Sequence, residues 1–245
     1  MYFLRLSKFH VILVNPAISG NVGSVARILK NFGIDKLILV NPVFYLRSEA
    51  LARATNAKDI LYKAILYSSL EEALASFSYV VGTTARVRYK RTVFSPREIA
   101  PFLTAISQEN DIALVFGPER TGLKNTDLDL CQAIITIPTS SKHPSLNLAL
   151  AVGIVLYELF CHALGNGISY KLPRLATSKE VEAMYAHLIN SLSKIGFVLG
   201  GERGHTYRVL KRIFSKIPLT SSDIKVIRGI CRQIDWYVGK RTKGG

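Results

Sequence analysis

The segment Val115-Phe116-Gly117-Pro118-Glu119-Arg120-Thr121-Gly122-Leu123 contains the transition that decides the fold. An apolar run ends there at a glycine and a proline, and small and polar residues follow. This pattern is typical of a buried strand that leads into a loop. Residues 137–149 repeat it, and residues 21–27 follow the first predicted strand in the same way. Because open α/β sheets bind ligands at the carboxyl ends of their strands, the three loops predict one small-molecule site.

Apolar runs of strand length alternate with helical patterns through the first two thirds of the chain. The predicted strands cover residues 10–14, 36–40, 64–67, 79–81, 112–116 and 133–137. The predicted helices cover residues 22–32, 48–56, 69–76, 125–130 (with Asn125 as a candidate cap) and the stretch after Pro144. This alternation predicts an α/β fold with a mostly parallel sheet and helices on both faces.

The last third of the chain has a different character. Beyond Gly165-Asn166-Gly167 the pattern is helical only, at residues 179–195, 206–216 and from 220 to about 238. We therefore predict a domain at residues 1–165, a linker at 166–177 and a small helical extension at 178–245. The formal net charge of the chain is +15, and residues 166–245 hold 15 Lys and Arg against 5 Asp and Glu. Such an excess favours polyanionic partners.

Several classes of protein are disfavoured by the composition. The three cysteines are widely spaced and form no CxxC pair, which indicates buried thiols rather than a zinc site or a disulfide framework. The first ten residues are too short and too mixed for a signal peptide. The longest apolar run, residues 146–164, contains three polar residues and predicts a buried helix rather than a membrane span. We expect a cytosolic protein that uses neither a metal nor a membrane.

Motifs along nearly the whole chain resemble one family. They are Asn21-x-Gly23-x-x-x-Arg27, Leu39-Val40-Asn41-Pro42, Val80-Val81-Gly82-Thr83-Thr84-Ala85-Arg86, the loop of residues 117–123, Ser145-Leu146-Asn147-Leu148, Gly196-Phe197, Leu210-Lys211-Arg212-Ile213-Phe214 and Ile227-Arg228-Gly229-Ile230. On these residues the chain resembles the SPOUT class of RNA methyltransferases. More narrowly, it resembles the TrmJ family, which methylates the 2′-hydroxyl of nucleotide 32 in the anticodon loop of tRNA.

The resemblance implies a fold, a cofactor and a reaction. S-adenosylmethionine would donate a methyl group to a ribose 2′-hydroxyl in the anticodon stem-loop region of tRNA, and no metal would take part. The catalytic domain would end in a trefoil α/β knot, and two copies of the chain would pack through it as a homodimer. The protein would have to align the hydroxyl with the methyl-sulfur bond.

Arg27 is the predicted catalytic residue. It lies one helical turn after Gly23, on the side expected to face the strand-end loops. By spacing alone, an arginine on a surface helix is more often solvated or ion-paired, and it is the resemblance that favours a catalytic role. Because a guanidinium keeps its proton at neutral pH, we expect Arg27 to anchor a phosphate or the 2′-oxygen. A role as the base is the alternative.

Three residues are predicted to support Arg27 or the substrate. Asn21 would shape the turn after the first strand together with Gly23. Glu119 would orient Arg27 or a backbone amide, and a solvated Glu-Arg pair in a Gly-Pro turn is the alternative. Asn147, in the first turn of an apolar helix, would be a buried amide that needs a polar ligand.

The predicted cofactor site combines three strand-end segments. Gly117 would let the backbone come close to the cofactor. Ile137, at the end of the sixth predicted strand, would contact the adenine through its backbone. Ser145 would cap the long helix or bind the substrate ribose. The full set of predicted cofactor-binding residues is Thr83, Thr84, Ala85, Gly117, Ile137, Pro144, Ser145 and Leu146.

Two groups of basic residues are predicted to contact RNA phosphates. The first, Arg86, Arg88, Lys90 and Arg91, follows the Thr83–Ala85 loop, and a solvated charged loop is the alternative. The second belongs to the helical extension, where acidic residues are too few to pair with every basic one, and consists of Arg203, Arg208, Lys211, Arg212, Lys216, Lys225, Arg228 and Arg232. Two other functions remain open: 2′-O-methylation of another RNA, such as ribosomal RNA, and RNA binding without catalysis on a methyltransferase fold.

Overall fold

Seven parallel strands form one sheet within the part of the chain that the computed structural model describes, residues 6–43, 45–85, 93–165, 174–198, 201–214 and 218–241. The strands are β1 (Phe9–Val14), β2 (Leu37–Val40), β3 (Ile65–Tyr67), β4 (Tyr79–Thr83), β5 (Val93–Phe94), β6 (Ile112–Phe116) and β7 (Ala133–Ile135). Their order is β3-β2-β1-β6-β4-β7-β5, and all six pairings are parallel. The predicted α/β class with a mostly parallel sheet is confirmed.

One strand has no counterpart in the sequence prediction. Strand β5 pairs with β7 through Val93↔Ile134 and Phe94↔Ile135. A segment of two residues is too short to show the alternation of apolar and polar residues by which a strand is recognised in a sequence. Strand β7 is also shorter than predicted. It ends at Ile135, so Ile137 lies two residues beyond the strand and not at its end.

The helices of this unit are α1 (Ser19–Asn31), α2 (Ser48–Ala54), α3 (Lys58–Tyr62), α4 (Leu70–Leu74), α5 (Pro96–Ile106), α6 (Asn125–Asp129) and α7 (Leu148–Leu164), with a 3₁₀ turn at Thr55–Ala57. Helix α5 was not predicted, although Ser95 and Glu98 form a capping box at its start. Asn125 is not a cap. Helix α6 is capped at Lys124, whose backbone N–H donates to Asp127 Oδ2 over 2.8 Å.

Both faces of the sheet are buried. On one face, alternate residues such as Ile12, Val80 and Val115 form a core cluster with Leu74 of α4 and Leu128 of α6. The intervening residues point to the opposite face because side chains alternate along a strand, and these are also buried. Helix α7 contacts both α1 and α5, and the three form a second helical layer. This burial on both faces explains why the strands read as continuous apolar runs.

The chain divides into two compact units, residues 1–172 and 173–245, and the division falls within the predicted linker of residues 166–177. The described part of the second unit contains α8 (Ser178–Lys194), α9 (Arg203–Phe214) and α10 (Ser221–Arg241). Its core includes Met184 and Tyr185 of α8 and Ile224 of α10, and the partly buried Leu210 of α9 packs against them. The predicted helical C-terminal part is confirmed.

Candidate active site

A cavity of about 250 Å³ lies beyond the carboxyl ends of β4, β6 and β7. All eight residues assigned to the cofactor by the sequence contribute to its lining. The lining also includes residues to which the sequence analysis assigned no role, namely Thr121 from the loop after β6, Ile135 from β7, and Leu148 and Ala151 from α7. These four are mostly small or apolar and look like ordinary core or loop positions in the sequence. The proximity of Leu148 and Ala151 to the loops depends on how α7 packs.

The loop after β6 folds back tightly on itself. A Cβ added at Gly117 would lie 2.2 Å from the backbone N of Leu123, which is closer than real atoms approach. The backbone N–H of Gly122 donates to the carbonyl of Pro118 over 2.8 Å, and Gly122 has a φ of +65°. Gly117 is therefore needed for the close approach of its own loop. The sequence analysis explained Gly117 by close approach of the cofactor, whereas in the structure it is the backbone of Leu123 that requires the glycine.

Hydrogen bonds hold the end of β4 between its two neighbours. The Thr83 hydroxyl donates to the Val115 carbonyl of β6 over 3.0 Å. The Thr84 backbone N–H donates to the Ile135 carbonyl of β7 over 2.9 Å, and the Thr136 hydroxyl donates to the Thr84 carbonyl over 2.9 Å. The backbone at this wall of the cavity is therefore fixed by contacts within the protein.

Glu119 joins the cavity loop to the start of α1. Its carboxylate accepts hydrogen bonds from the backbone N–H groups of Ala17 and Ile18, over 3.1 and 3.3 Å, and from Asn21 Nδ2 over 2.9 Å. Two of the three donors are thus backbone amides just before α1. All three donors are neutral groups, and none of them is a cation.

Asn147 extends this connection to the start of α7. Its Nδ2 donates to Asn21 Oδ1 over 2.9 Å, while its Oδ1 accepts from the backbone N–H groups of Ala149 and Leu150. We call the sequence Asn147, Asn21, Glu119 the polar chain. It brings together three residues that the sequence placed in three separate motifs.

Three expectations about these residues are wrong in detail. Asn147 is exposed and is the N-cap of α7, so it is neither a buried amide nor in the first helical turn, and the protein itself satisfies it. Ser145 is not the cap. Asn21 and Gly23 lie inside α1 rather than in a turn, and a Cβ at Gly23 would lie 2.1 Å from the Ala50 carbonyl oxygen of α2. Gly23 therefore permits close packing of α1 against α2.

Arg27 lies on the exposed side of α1. It lies six positions after Asn21, about 9 Å along the helix axis, and the two side chains point in different directions. Within the described ranges its guanidinium has no hydrogen bond or ion pair. The structure thus joins Asn21, Glu119 and Asn147 to one another, but it does not bring Arg27 into contact with them.

The predicted RNA contacts differ in availability. Arg86, Arg88, Lys90, Arg91 and Lys216 lie outside the described residues. Arg208, Arg212 and Arg228 are exposed. Lys211 is partly buried, and its Nζ lies 3.5 Å from Glu182 Oε1 and 5.7 Å from the centre of the Tyr207 ring. Lys211 therefore already has partners within the second unit.

Two further observations concern the described residues alone. They contain no group of three or more His, Cys, Asp or Glu side chains that could hold a metal ion. None of their helices is both long and apolar enough to span a membrane.

Comparison with known proteins links both units to one group of enzymes. The SpoU rRNA methylase family matches residues 8–157, and the C-terminal domain of the tRNA methyltransferase TrmJ matches residues 179–244. The tRNA (cytidine/uridine/adenosine-2′-O-)-methyltransferase TrmJ of Pseudomonas aeruginosa (strain UCBPP-PA14) is 36% identical over 238 residues, covering 92% of this chain and 93% of that protein. The tRNA (cytidine/uridine-2′-O-)-methyltransferase TrmJ of Escherichia coli O6:K15:H31 (strain 536 / UPEC) is 34% identical over 236 residues, covering 94% of this chain and 96% of that protein.

A solved structure agrees with these matches. The crystal structure of TrmJ from Z. mobilis ZM4 superposes with a TM-score of 0.76 at 33% identity, over 92% of this chain and 98% of that one. The parallel sheet and its strand-end cavity are those of a SpoU-class methylase. The second unit matches the C-terminal domain of TrmJ, and the relatives that match over most of the chain are TrmJ proteins. Within the SpoU class, the chain therefore belongs to the TrmJ family.

Proposed function

We propose that the protein transfers a methyl group from S-adenosylmethionine to the ribose 2′-hydroxyl of nucleotide 32 in tRNA. The observation that carries the proposal is the convergence of all eight predicted cofactor residues on one cavity at the carboxyl ends of β4, β6 and β7. The two relatives above are named tRNA 2′-O-methyltransferases for cytidine and uridine, and one of them also for adenosine. Nucleotide 32 rests on the sequence resemblance.

The lining of the cavity fits a nucleoside that carries a cationic group. Ile135, Ile137 and Leu146 provide apolar surface for the faces of an adenine ring. Ser145 and Thr121 add hydroxyl groups, and Glu119 adds a negative charge that no cation among its bonded partners neutralises. When bound, S-adenosylmethionine supplies a methyl group that its positively charged sulfur has already activated for transfer.

The residues of the chain would position the acceptor. Arg27 stays protonated and would hold a substrate phosphate or the 2′-oxygen through charge-assisted hydrogen bonds. The polar chain fixes the start of α1, the start of α7 and the loop after β6 relative to one another. Such preorganisation lowers the entropic cost of aligning the hydroxyl with the methyl group.

A homodimer is part of the proposal, and α7 offers a surface for it. Leu150, Tyr157 and Leu164 are 52%, 57% and 38% exposed, and their spacing of seven residues puts them on one side of the helix. A row of large apolar side chains in solvent is typical of a protein interface. Analytical ultracentrifugation of Tyr157→Asp and of the unchanged protein tests this surface, and a variant that remains as dimeric as the parent would contradict it.

The decisive experiment is transfer of labelled methyl from S-adenosylmethionine to unmodified tRNA transcripts, followed by mapping of the product. A 2′-O-methyl group at nucleotide 32 is the expected result. A methyl group at another tRNA nucleotide would overturn the position. Transfer to ribosomal RNA alone would overturn the substrate, and tRNA binding without any transfer would indicate a non-catalytic RNA-binding protein.

A further inference from the structure

The outward side of α10 carries a row of basic and aromatic residues. Residues three or four apart lie on the same side of a helix, and this spacing joins Lys225, Arg228, Arg232, Trp236 and Lys240. All five are exposed. Ile224 and Cys231 of the same helix are buried in the interior of the second unit. We call the five exposed residues the α10 row.

The acids of α10 do not neutralise the row. Asp223 accepts hydrogen bonds from the backbone N–H and the hydroxyl of Thr220, at the start of the helix. Asp235 accepts from Ser191, His187 and Lys194, all on α8. Within the described residues, Lys225, Arg228 and Arg232 form no ion pair. The row is therefore a surface of positive charge, which complements a polyanion.

Trp236 has an unusual position within this surface. Its side chain is 56% exposed, and Lys240 Nζ lies 4.2 Å from the centre of its ring. The ammonium group thus covers one face of the indole through a cation–π contact and leaves the ring otherwise open. Arg232 lies one turn before Trp236 and Lys240 one turn after it, about 6 Å along the helix in each direction.

We propose that Trp236 stacks on an unpaired base of the tRNA while Arg232 and Lys240 bind the phosphates on either side of that base. The inference rests on the proposed function, because it takes tRNA as the occupant. Every nucleotide in a strand has a phosphate on each side, which matches an aromatic ring between two cations. Proteins recognise single-stranded RNA by stacking exposed bases on aromatic side chains within a positive surface.

The chain allows a direct test, because Trp236 is its single tryptophan. Intrinsic tryptophan fluorescence of the full-length protein is recorded during titration with an unmodified tRNA transcript. Stacking on a base quenches the emission, with a midpoint equal to the Kd from filter binding. In filter binding, Trp236→Ala raises the Kd about 5- to 150-fold, the effect of one lost base stack. Trp236→Phe, which keeps an aromatic face, restores most of the affinity.

A matched control lies next to it. Tyr237 is equally exposed, at 56%, but points about 100° away around the helix, so Tyr237→Ala leaves the Kd within about two-fold. Unchanged emission at saturating tRNA, or wild-type affinity of Trp236→Ala, would overturn the stacking while methyl transfer to tRNA still supported the proposed function. A wild-type protein that neither binds nor methylates tRNA would overturn both.

Discussion

Asn147 donates a 2.9 Å hydrogen bond to Asn21 across 126 residues of chain. Asn21 in turn donates to Glu119, so the first turn of α1, the cap of α7 and the loop after β6 form one hydrogen-bonded unit. These are the three segments that the sequence indicated as the site. Their connection gives the site a definite geometry, and the substitutions below test it.

Asn21→Ala removes the centre of the polar chain. Asn21 is only 4% exposed, and its loss leaves Asn147 Nδ2 without its acceptor and removes one of the two donors to Glu119 Oε1. We expect the free energy of unfolding to fall by about 1–3 kcal/mol and methyl transfer to fall with it. Urea unfolding and a transfer assay measure the two effects. Asn31→Ala, at the exposed end of the same helix, is the control. Equal effects of the two variants would show that the polar chain contributes neither to stability nor to methyl transfer.

Gly117→Ala places a Cβ 2.2 Å from the backbone N of Leu123, where neither group can move without opening the loop. We expect calorimetric titration with S-adenosylmethionine to show lost or strongly weakened binding. Gly153→Ala, in the interior of α7, is the control, because its new Cβ would lie at an ordinary contact distance of 3.6 Å from Ile28 Cδ1 of α1. That change is expected to be neutral or to stabilise by up to about 1 kcal/mol. Normal cofactor affinity in Gly117→Ala would remove the loop from the cofactor site.

Arg27→Ala is expected to keep the affinity for S-adenosylmethionine and to lose turnover by about 100-fold or more, the cost of removing one charge-stabilising group from an active site. Calorimetry and single-turnover methyl transfer separate the two quantities. Arg53→Ala removes another exposed arginine, which pairs with Glu49 over 3.0 Å, and should leave turnover unchanged. Near-normal turnover of Arg27→Ala would exclude Arg27 from the mechanism.

Arg212→Gln and Lys211→Gln compare a solvent-exposed basic side chain with one that already has partners within the protein. Arg212 is exposed, whereas Lys211 lies against Glu182 and Tyr207. If Arg212 binds a phosphate, its loss reduces the slope of log Kd against log salt by about one. The same change at Lys211 should alter the slope much less, since this ammonium already has partners. Filter binding at several salt concentrations measures both, and identical slopes would contradict the assignment.

The lowered pKa of His10 leads to a prediction of how the free energy of unfolding depends on pH. Burial lowers the pKa of His10 below 6.5, although the hydrogen bond with Asp111 opposes this shift. The unfolded chain therefore binds a proton more tightly than the folded protein does. The stability that neutral His10 provides is complete above about pH 6.5 and decreases as the pH falls towards the lower folded-state pKa. Urea unfolding between pH 7 and pH 5 should show this decrease, and His10→Gln should flatten it. An identical pH profile in His10→Gln would contradict the assignment.

The sequence predicted the sheet well where strands are long and buried. Runs such as residues 37–40 and 112–116 need only their own composition to be recognised, because both faces of the sheet are covered. It failed at β5, which has two residues, and at α5, where the capping box was present but not used. The site residues were selected through family motifs, since spacing alone did not distinguish Arg27 or Ile137 from ordinary surface and core positions.

The sequence by itself determined the fold class, the helical character and charge of the C-terminal part, and the loops that line the cavity, because each of these depends on residues close together in the chain. The tertiary structure decided the rest. It showed that Asn147 binds Asn21 and that Gly23 and Gly117 are required by close contacts within the protein. It also showed that Lys211 lies against Glu182, whereas Lys225, Arg228 and Arg232 have no ion-pair partner among the described residues. These properties depend on atoms that lie far apart in sequence, so only packing of the folded chain could establish them.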